Sequence, residues 1–237
     1  MTHLLNTINT RKLAFTTKPA SHWVSFIRLF NYAFLTIFLL PFQVVNLLFF
    51  PSIASFIGTL HHKIASHVLG LQIKVEGSPT KTEKALFVAN HISNFDIVAI
   101  GSIGPGRFIA KQELSTWPVF GILAKLTRTI FISRSSSSAL EQLQLIAHLL
   151  LKSERLILFP EGTSSDGRKV LPFKPSLFEA SIKADAIVQP LTIRYEKING
   201  MPVDRRSKPF LAWYGDMDLL PHLWQSLSLG TITIKLV

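Results

Sequence analysis

Residues 29–62 contain no Lys, Arg, Asp or Glu, and this uncharged run constrains the chain more than any other feature. Phe26, Phe30, Phe34, Phe38 and Phe42 recur at every fourth position through it. Residues four apart lie almost above one another on a helix, so these rings form a slowly drifting apolar stripe. An apolar stretch of about 18 or more residues is the usual mark of a membrane-spanning helix. Pro41 and Pro51 argue against one straight span, because each removes a helical N–H and crowds the preceding turn. The run is then expected to divide into pieces of roughly 10–15 residues, short of the ~20 needed to cross. A helical hairpin that enters one leaflet and returns is the preferred reading; a true span and a buried core element are the alternatives. Thr36, Gln43 and Asn46 inside the run suit an interface or a protein-facing side. Residues 1–22 read as a basic, polar lead-in and 23–60 as the hydrophobic anchor, with Arg11, Lys12, Lys18 and Arg28 favouring the cytoplasmic side. A cleavable leader is not expected, since the run is too long and no small-residue cleavage site follows it.

Composition narrows the partners. The 237 residues carry 25 Lys and Arg against 14 Asp and Glu, a formal charge of +11, which favours anionic partners. Only 16% of residues are charged and 48% are hydrophobic, and the mean hydropathy is +0.33. That is too apolar for an ordinary nucleic-acid binder, so anionic lipids are the expected partners and no nucleic acid is. There is no Cys, which removes disulfides, thiolate metal sites and a cysteine nucleophile, and fits a reducing compartment. No metal cluster is visible.

From about residue 70 short apolar runs alternate with helical stretches. Strands are expected at Leu71–Val75, Ala85–Ala89, Phe108–Ala110, Ile130–Ile132, Leu156–Phe159, Ile187–Ile193 and Thr231–Leu236. Helices are expected near Ser93–Ser102, Pro118–Leu126, Ser136–Lys152, Ser176–Lys183 and Leu220–Ser228, with Gly58–Gly70 as the junction to the anchor. This alternation predicts an α/β domain over residues 70–237, with a mixed, largely parallel sheet flanked by helices. Ligands of open α/β sheets bind beyond the carboxyl ends of the strands.

Two polar segments follow apolar runs at such ends. The first, Ala-Asn-His-Ile-Ser-Asn-Phe-Asp at 89–96, holds His91 and Asp96. Five residues apart, they cannot pair along one helix, where the step rotates about 140°, nor along one strand, where it reverses the face. A turn at Ile92–Asn94, through residues that favour turns and helix N-caps, brings the carboxylate back onto the imidazole. The result is an oriented general base. The second segment is Phe-Pro-Glu-Gly-Thr at 159–163. There is no Gly-x-Ser-x-Gly elbow, which disfavours a serine hydrolase and an acyl-enzyme.

Taken in order, Asn90-His91 to Asp96, Ala110 to Leu114, Ile130 to Arg134, Phe159 to Thr163 and Val188-Gln189-Pro190 resemble the glycerolipid acyltransferase family that includes lysophosphatidic acid acyltransferases. The resemblance runs from about residue 70 to the C-terminus. It implies that His91 deprotonates an acceptor hydroxyl for attack on an acyl thioester, with Asp96 orienting the ring. It also implies that Arg134 and Lys111 grip the acceptor's phosphate, and that Glu161, Gly162 and Thr163 form the acceptor-binding loop, Glu161 accepting from a glycerol hydroxyl. Arg168 and Lys169 stand in the loop that follows, near lipid headgroups or donor phosphates. Lysophosphatidic acid is the leading acceptor, with a lyso-ornithine lipid, another lysophospholipid or glycerol 3-phosphate as alternatives. The donor is acyl-CoA or an acyl carrier protein, with no bound cofactor. The enzyme is expected at a membrane with its catalytic domain on the cytoplasmic face; a non-catalytic lipid binder is the rival from another class. The chain departs from the family at Arg128 and Ser133, where many members carry Gly and Asp, and at Ser164, where Arg is common.

Overall fold

The computed structural model describes residues 21–50, 54–133 and 135–237. In chain order the elements are α1 (His22–Phe49), α2 (Ala54–Val68), β1 (Leu71–Val75), β2 (Ala85–Ala89), α3 (Phe95–Ile103), β3 (Arg107–Lys111), α4 (Phe120–Leu126), β4 (Ile130–Ile132), α5 (Ala139–Leu151), β5 (Arg155–Leu158), α6 (Phe178–Ala184), β6 (Ile187–Leu191), β7 (Ile193–Ile198), β8 (Met201–Pro202), α7 (Leu219–Ser228) and β9 (Ile232–Leu236). The α/β expectation holds, and the strands divide between two sheets. One has five strands in the order β4-β3-β5-β2-β6, all parallel. The other has four in the order β1-β9-β7-β8, with β1 parallel to β9 and the remaining pairs antiparallel. The single strand expected over Ile187–Ile193 passes from one sheet to the other at Thr192. There Thr192 and Val237 exchange backbone hydrogen bonds of 2.8 and 3.0 Å.

The central strands are covered on both faces, as parallel sheets require. Along β2 the pleat sends Phe87 and Ala89 to one side, against Val98 and Ala99 of α3 and Ile232 and Ile234 of β9. It sends Leu86 and Val88 to the other, against Ile146 and Leu150 of α5 and Ala180 of α6. Leu86, Ile146, Leu150 and Leu156 are almost wholly removed from solvent.

The N-terminal helices pack the opposite way round. The polar side chains of α1 face protein. Ser25 Oγ donates to the Trp224 carbonyl in α7 at 2.8 Å. Arg28 donates to the carbonyls of Leu227 and Gly230, each at 3.0 Å, at the carboxyl end of that helix. Thr36 Oγ1 lies 2.9 Å from His61 Nε2 in α2, and Gln43 Nε2 donates to the Leu126 carbonyl ending α4 at 2.6 Å. Ser25, Gln43 and Asn46 are buried, while Phe26, Phe30, Phe34, Phe38 and Phe42 are all more than half exposed.

Two expectations are corrected here. Pro41 does not divide the run: α1 is a single helix of 28 residues with Pro41 inside it. The proline removes one N–H bond, and the side-chain bonds of Thr36 and Gln43 fasten the helix on either side of it. The stretch assigned as a junction, Gly58–Gly70, is mostly the second helix, α2. The break expected at Pro51 and the basic lead-in over residues 1–20 lie outside the described residues.

Candidate active site

Parallel order brings the carboxyl ends of β4, β3, β5, β2 and β6 to one edge. Asn90-His91 follows β2, Lys111 ends β3, Ser133 follows β4 and Phe159 follows β5. Because β2 and β5 are neighbours, the two polar segments that were far apart in sequence lie side by side.

Asn90 fixes the first of them to the sheet junction. Its Oδ1 accepts from the Ile193 N–H at 2.7 Å and its Nδ2 donates to the Ile193 carbonyl at 3.1 Å. The chain then turns sharply. His91 Nδ1 meets Asp96 Oδ2 at 2.8 Å, and the same oxygen accepts from the N–H groups of Ile92 at 2.6 Å and Ser93 at 2.9 Å. Asp96 stands in the first turn of α3, where the helix end favours a negative charge. Its bond back to Ser93 N–H, with Ser93 Oγ accepting from Phe95 N–H at 3.4 Å, closes the turn through side chain to backbone bonds. The turn expected from Ser93 and Asn94 is therefore the device that joins the pair.

The other carboxylate oxygen has a partner that sequence reasoning missed. Tyr195 Oη, from β7, donates to Asp96 Oδ1 at 2.7 Å. Burial and the adjacent carboxylate push the Tyr195 phenol well above its ordinary value, so it stays a donor. Asp96 itself is fully buried and holds four donors. With Nδ1 committed to the carboxylate, Nε2 is the basic nitrogen, and it makes no hydrogen bond among the described residues. The His91 side chain is 18% exposed, and its ring stacks on Phe159 with centroids 4.2 Å apart. Such an imidazole can take a proton from an approaching hydroxyl.

The second segment wraps the main chain of His91. Glu161 Oε1 accepts from His91 N–H at 2.8 Å and Oε2 accepts from Leu171 N–H at 2.8 Å. Ser165 N–H donates to the His91 carbonyl at 2.9 Å. Glu161 is 4% exposed. Its carboxylate ties the loop to the turn of His91. Gly162 has φ +67°, the left-handed region that favours glycine. Thr163 is exposed beside it. Lys111, half-buried, ends β3 in register with Ile132 of β4. Arg134 lies outside the described residues. Arg128 does not join the site. It sits at the opposite edge of the sheet, 3.4 Å from Glu154, with φ +59°. Arg168 pairs with Asp166 on the surface at 3.2 Å. Pro190 is in β6, an edge strand, where a missing N–H is tolerated. Among the described residues no three His, Asp or Glu side chains cluster as a cation site.

Comparison with known proteins gives this geometry a context. A family model described as acyltransferase matches residues 72–194. The chain is 37% identical to the lyso-ornithine lipid O-acyltransferase of Brucella abortus over 209 residues, covering 85% of this chain and 78% of the relative. It is 38% identical over 181 residues to the enzyme of that name in Rhizobium meliloti, covering 73% of this chain and 62% of the relative. It is 34% identical over 173 residues to the 1-acyl-sn-glycerol-3-phosphate acyltransferase of Neisseria gonorrhoeae, covering 73% of this chain and 65% of the relative. The chain thus spans less than two thirds of the length of the latter two. The crystal structure of the 1-acyl-sn-glycerophosphate acyltransferase of Thermotoga maritima shares the fold, with a TM-score of 0.63, 24% identity and coverage of 91% of this chain and 83% of that one. Matched by the family model over more than half its length, and covering more than two thirds of a relative 37% identical to it, the chain belongs to the acyltransferase family.

Proposed function

We propose that this acyltransferase moves a fatty acyl group from an acyl thioester, acyl-CoA or acyl carrier protein, to the free hydroxyl of lysophosphatidic acid, forming phosphatidic acid. The observation that carries the reading is the His91–Asp96 contact, with Nε2 turned away from the carboxylate. In the proposed reaction the acceptor oxygen attacks the thioester carbonyl carbon while His91 Nε2 takes its proton. Asp96 stabilises the resulting imidazolium and holds the ring in one tautomer. The tetrahedral intermediate collapses with loss of the thiolate, which recovers the proton from His91 and leaves as a thiol. No protein nucleophile takes part. Positioning of the two substrates supplies much of the rate. The expected phosphate ligands are Lys111 and Arg134, with Gly162 and Thr163 in the acceptor loop.

A lyso-ornithine lipid is a second acceptor reading, favoured by two observations. The Brucella and Rhizobium relatives carry that name. Ser164, buried at 8% exposure, stands where the family commonly has Arg, so this chain lacks one cation suited to a phosphate.

The proposed location is one leaflet of a membrane, with the α/β domain on the cytoplasmic face, where thioester donors are made. Helix α1 is long and apolar enough to cross a bilayer by length and composition. Its ties to the domain at Ser25 and Gln43, and to α2 at Thr36, run along its length and favour a helix lying in the interface with its Phe stripe in lipid.

Purified full-length protein in mixed micelles, offered labelled acyl thioesters and a panel of lysolipids, tests the reading. Transfer to lysophosphatidate or lyso-ornithine lipid is expected, and His91→Ala is expected to lower it by about 100-fold or more. Full turnover by the His91→Ala protein, or no transfer to any lysolipid, refutes the mechanism.

A further inference from the structure

Gly162 and Lys174 meet in a way that neither the motif nor the dyad explains. A Cβ on Gly162 would lie 2.9 Å from Lys174 Nζ, 3.2 Å from Cε and 3.4 Å from Cδ, so the lysine stem crosses directly over the glycine. The two segments are held together by backbone. Lys174 N–H donates to the Pro160 carbonyl at 2.9 Å, and Leu171 N–H donates to Glu161 at 2.8 Å. The turn that Lys174 crosses is the one whose flanks, Glu161 and Ser165, bond the amide and carbonyl of His91. Lys174 forms no ion pair among the described residues. The nearby carboxylates are engaged elsewhere, Glu161 with two backbone amides and Asp166 with Arg168.

We propose that the Lys174 ammonium, laid across Gly162, is a recognition group for the anionic part of the acceptor, a phosphate or a carboxylate a few bonds from the hydroxyl being acylated. This rests on the acyl-transfer reading above. Lys174 is exposed to solvent, and its stem packs over a residue whose left-handed φ excludes ordinary side chains. An ammonium is a compact point charge suited to either anion. Lys169, exposed on the same loop, adds positive potential around it. The loop thus has two jobs: Glu161 fixes the base, and Gly162 makes room for the cation.

The test uses full-length protein with lysophosphatidate, lyso-ornithine lipid and monoacylglycerol of one chain length. Lys174→Ala is expected to raise KM for the anionic acceptor about tenfold or more, with kcat changed by less than about threefold. Lys174→Arg is expected to restore most of the loss. A rise confined to lysophosphatidate assigns the phosphate, and one confined to lyso-ornithine lipid assigns the carboxylate. Direct titration of each lysolipid into His91→Ala protein separates recognition from turnover, and Lys174→Ala in that background is expected to weaken binding of the anionic lipid by a similar factor while sparing monoacylglycerol. Equal losses for the neutral and anionic lipids, or unchanged affinity for both anionic ones, overturns the role of Lys174 whether or not the acyl-transfer reading stands.

Discussion

Helix α1 and strand β2 are both dominated by apolar residues, and they place them oppositely. In β2 every side chain from Ala85 to Ala89 is buried. In α1 the phenylalanine stripe points outward and the buried residues are Ser25, Gln43 and Asn46. Burial of apolar area is the main force for folding in water, so β2 needs no other medium. An aromatic stripe left facing water gains nothing by that force, and a contiguous patch of this kind marks a binding surface. The contrast leaves one side of α1 as an apolar surface suited to something other than water. Polar bonds to protein fix its other side, where an ordinary amphipathic helix carries its apolar stripe.

The widest separation between the two regions is expected from Phe30, Phe34 and Phe38, each about three-fifths exposed at 62%, 64% and 58%. Replacing all three by Ala removes roughly 3–6 kcal/mol of apolar contact with lipid and should lower partitioning onto anionic vesicles by a few hundredfold or more. Flotation assays measure it. Detergent-solubilised stability should hardly move, since these rings pack on no core. A large fall in Tm with unchanged flotation would place the stripe against protein instead.

The reverse pattern is expected in the sheet. Leu156 is fully buried in β5 among Leu86, Ile146 and Leu150. Leu156→Ala removes buried methyl groups and leaves a cavity, at a cost of about 2–5 kcal/mol in stability. Vesicle partitioning of the folded fraction should match wild type. Denaturant titration beside flotation checks both halves, and a loss of partitioning equal to that of the Phe triple variant would erase the distinction between the regions.

What could be read in advance follows from how local each feature is. The pairing of His91 with Asp96 was legible because Ser93 and Asn94 lie between them and name the turn. Strands β1 to β5 were legible because each is a short apolar run between breakers. Tyr195 was not, since it reaches Asp96 from 99 residues away through the pairing of β7 with β9. The bond of Glu161 to the His91 amide is hidden for a related reason. An acid after a strand reads as a ligand, and only the adjacency of β5 and β2 turns it toward the amide of His91. In α1 the interior side chains Ser25, Arg28, Tyr32, Thr36, Gln43 and Asn46 do recur at helical spacing. Pro41 signals a break in the same run, and the tertiary bonds of Thr36 and Gln43 on either side of it hold the helix continuous.

The smallest effect should come from Tyr195→Phe, which leaves packing intact and deletes one hydrogen bond to a buried carboxylate. Such a bond contributes about 1.5–3 kcal/mol, so turnover is expected to fall about tenfold as Asp96 loses a fixed partner and His91 its orientation. The phenol also carries a pH signature. Its folded value is raised above the ordinary 10.0 by burial first and by Asp96 second. A raised value means the folded protein keeps the proton that the unfolded chain loses near pH 10. The stabilisation is therefore fully present below that pH and is lost as pH rises through the folded value. The Tm gap between wild type and Tyr195→Phe should be constant through neutral pH and shrink above about pH 10. Phenylalanine has no proton to hold, so its own curve lacks this component. A gap that stays constant to pH 11 would mean that Tyr195 and Asp96 are not in contact, and that the buried acid is held by His91, Ile92 and Ser93 without it.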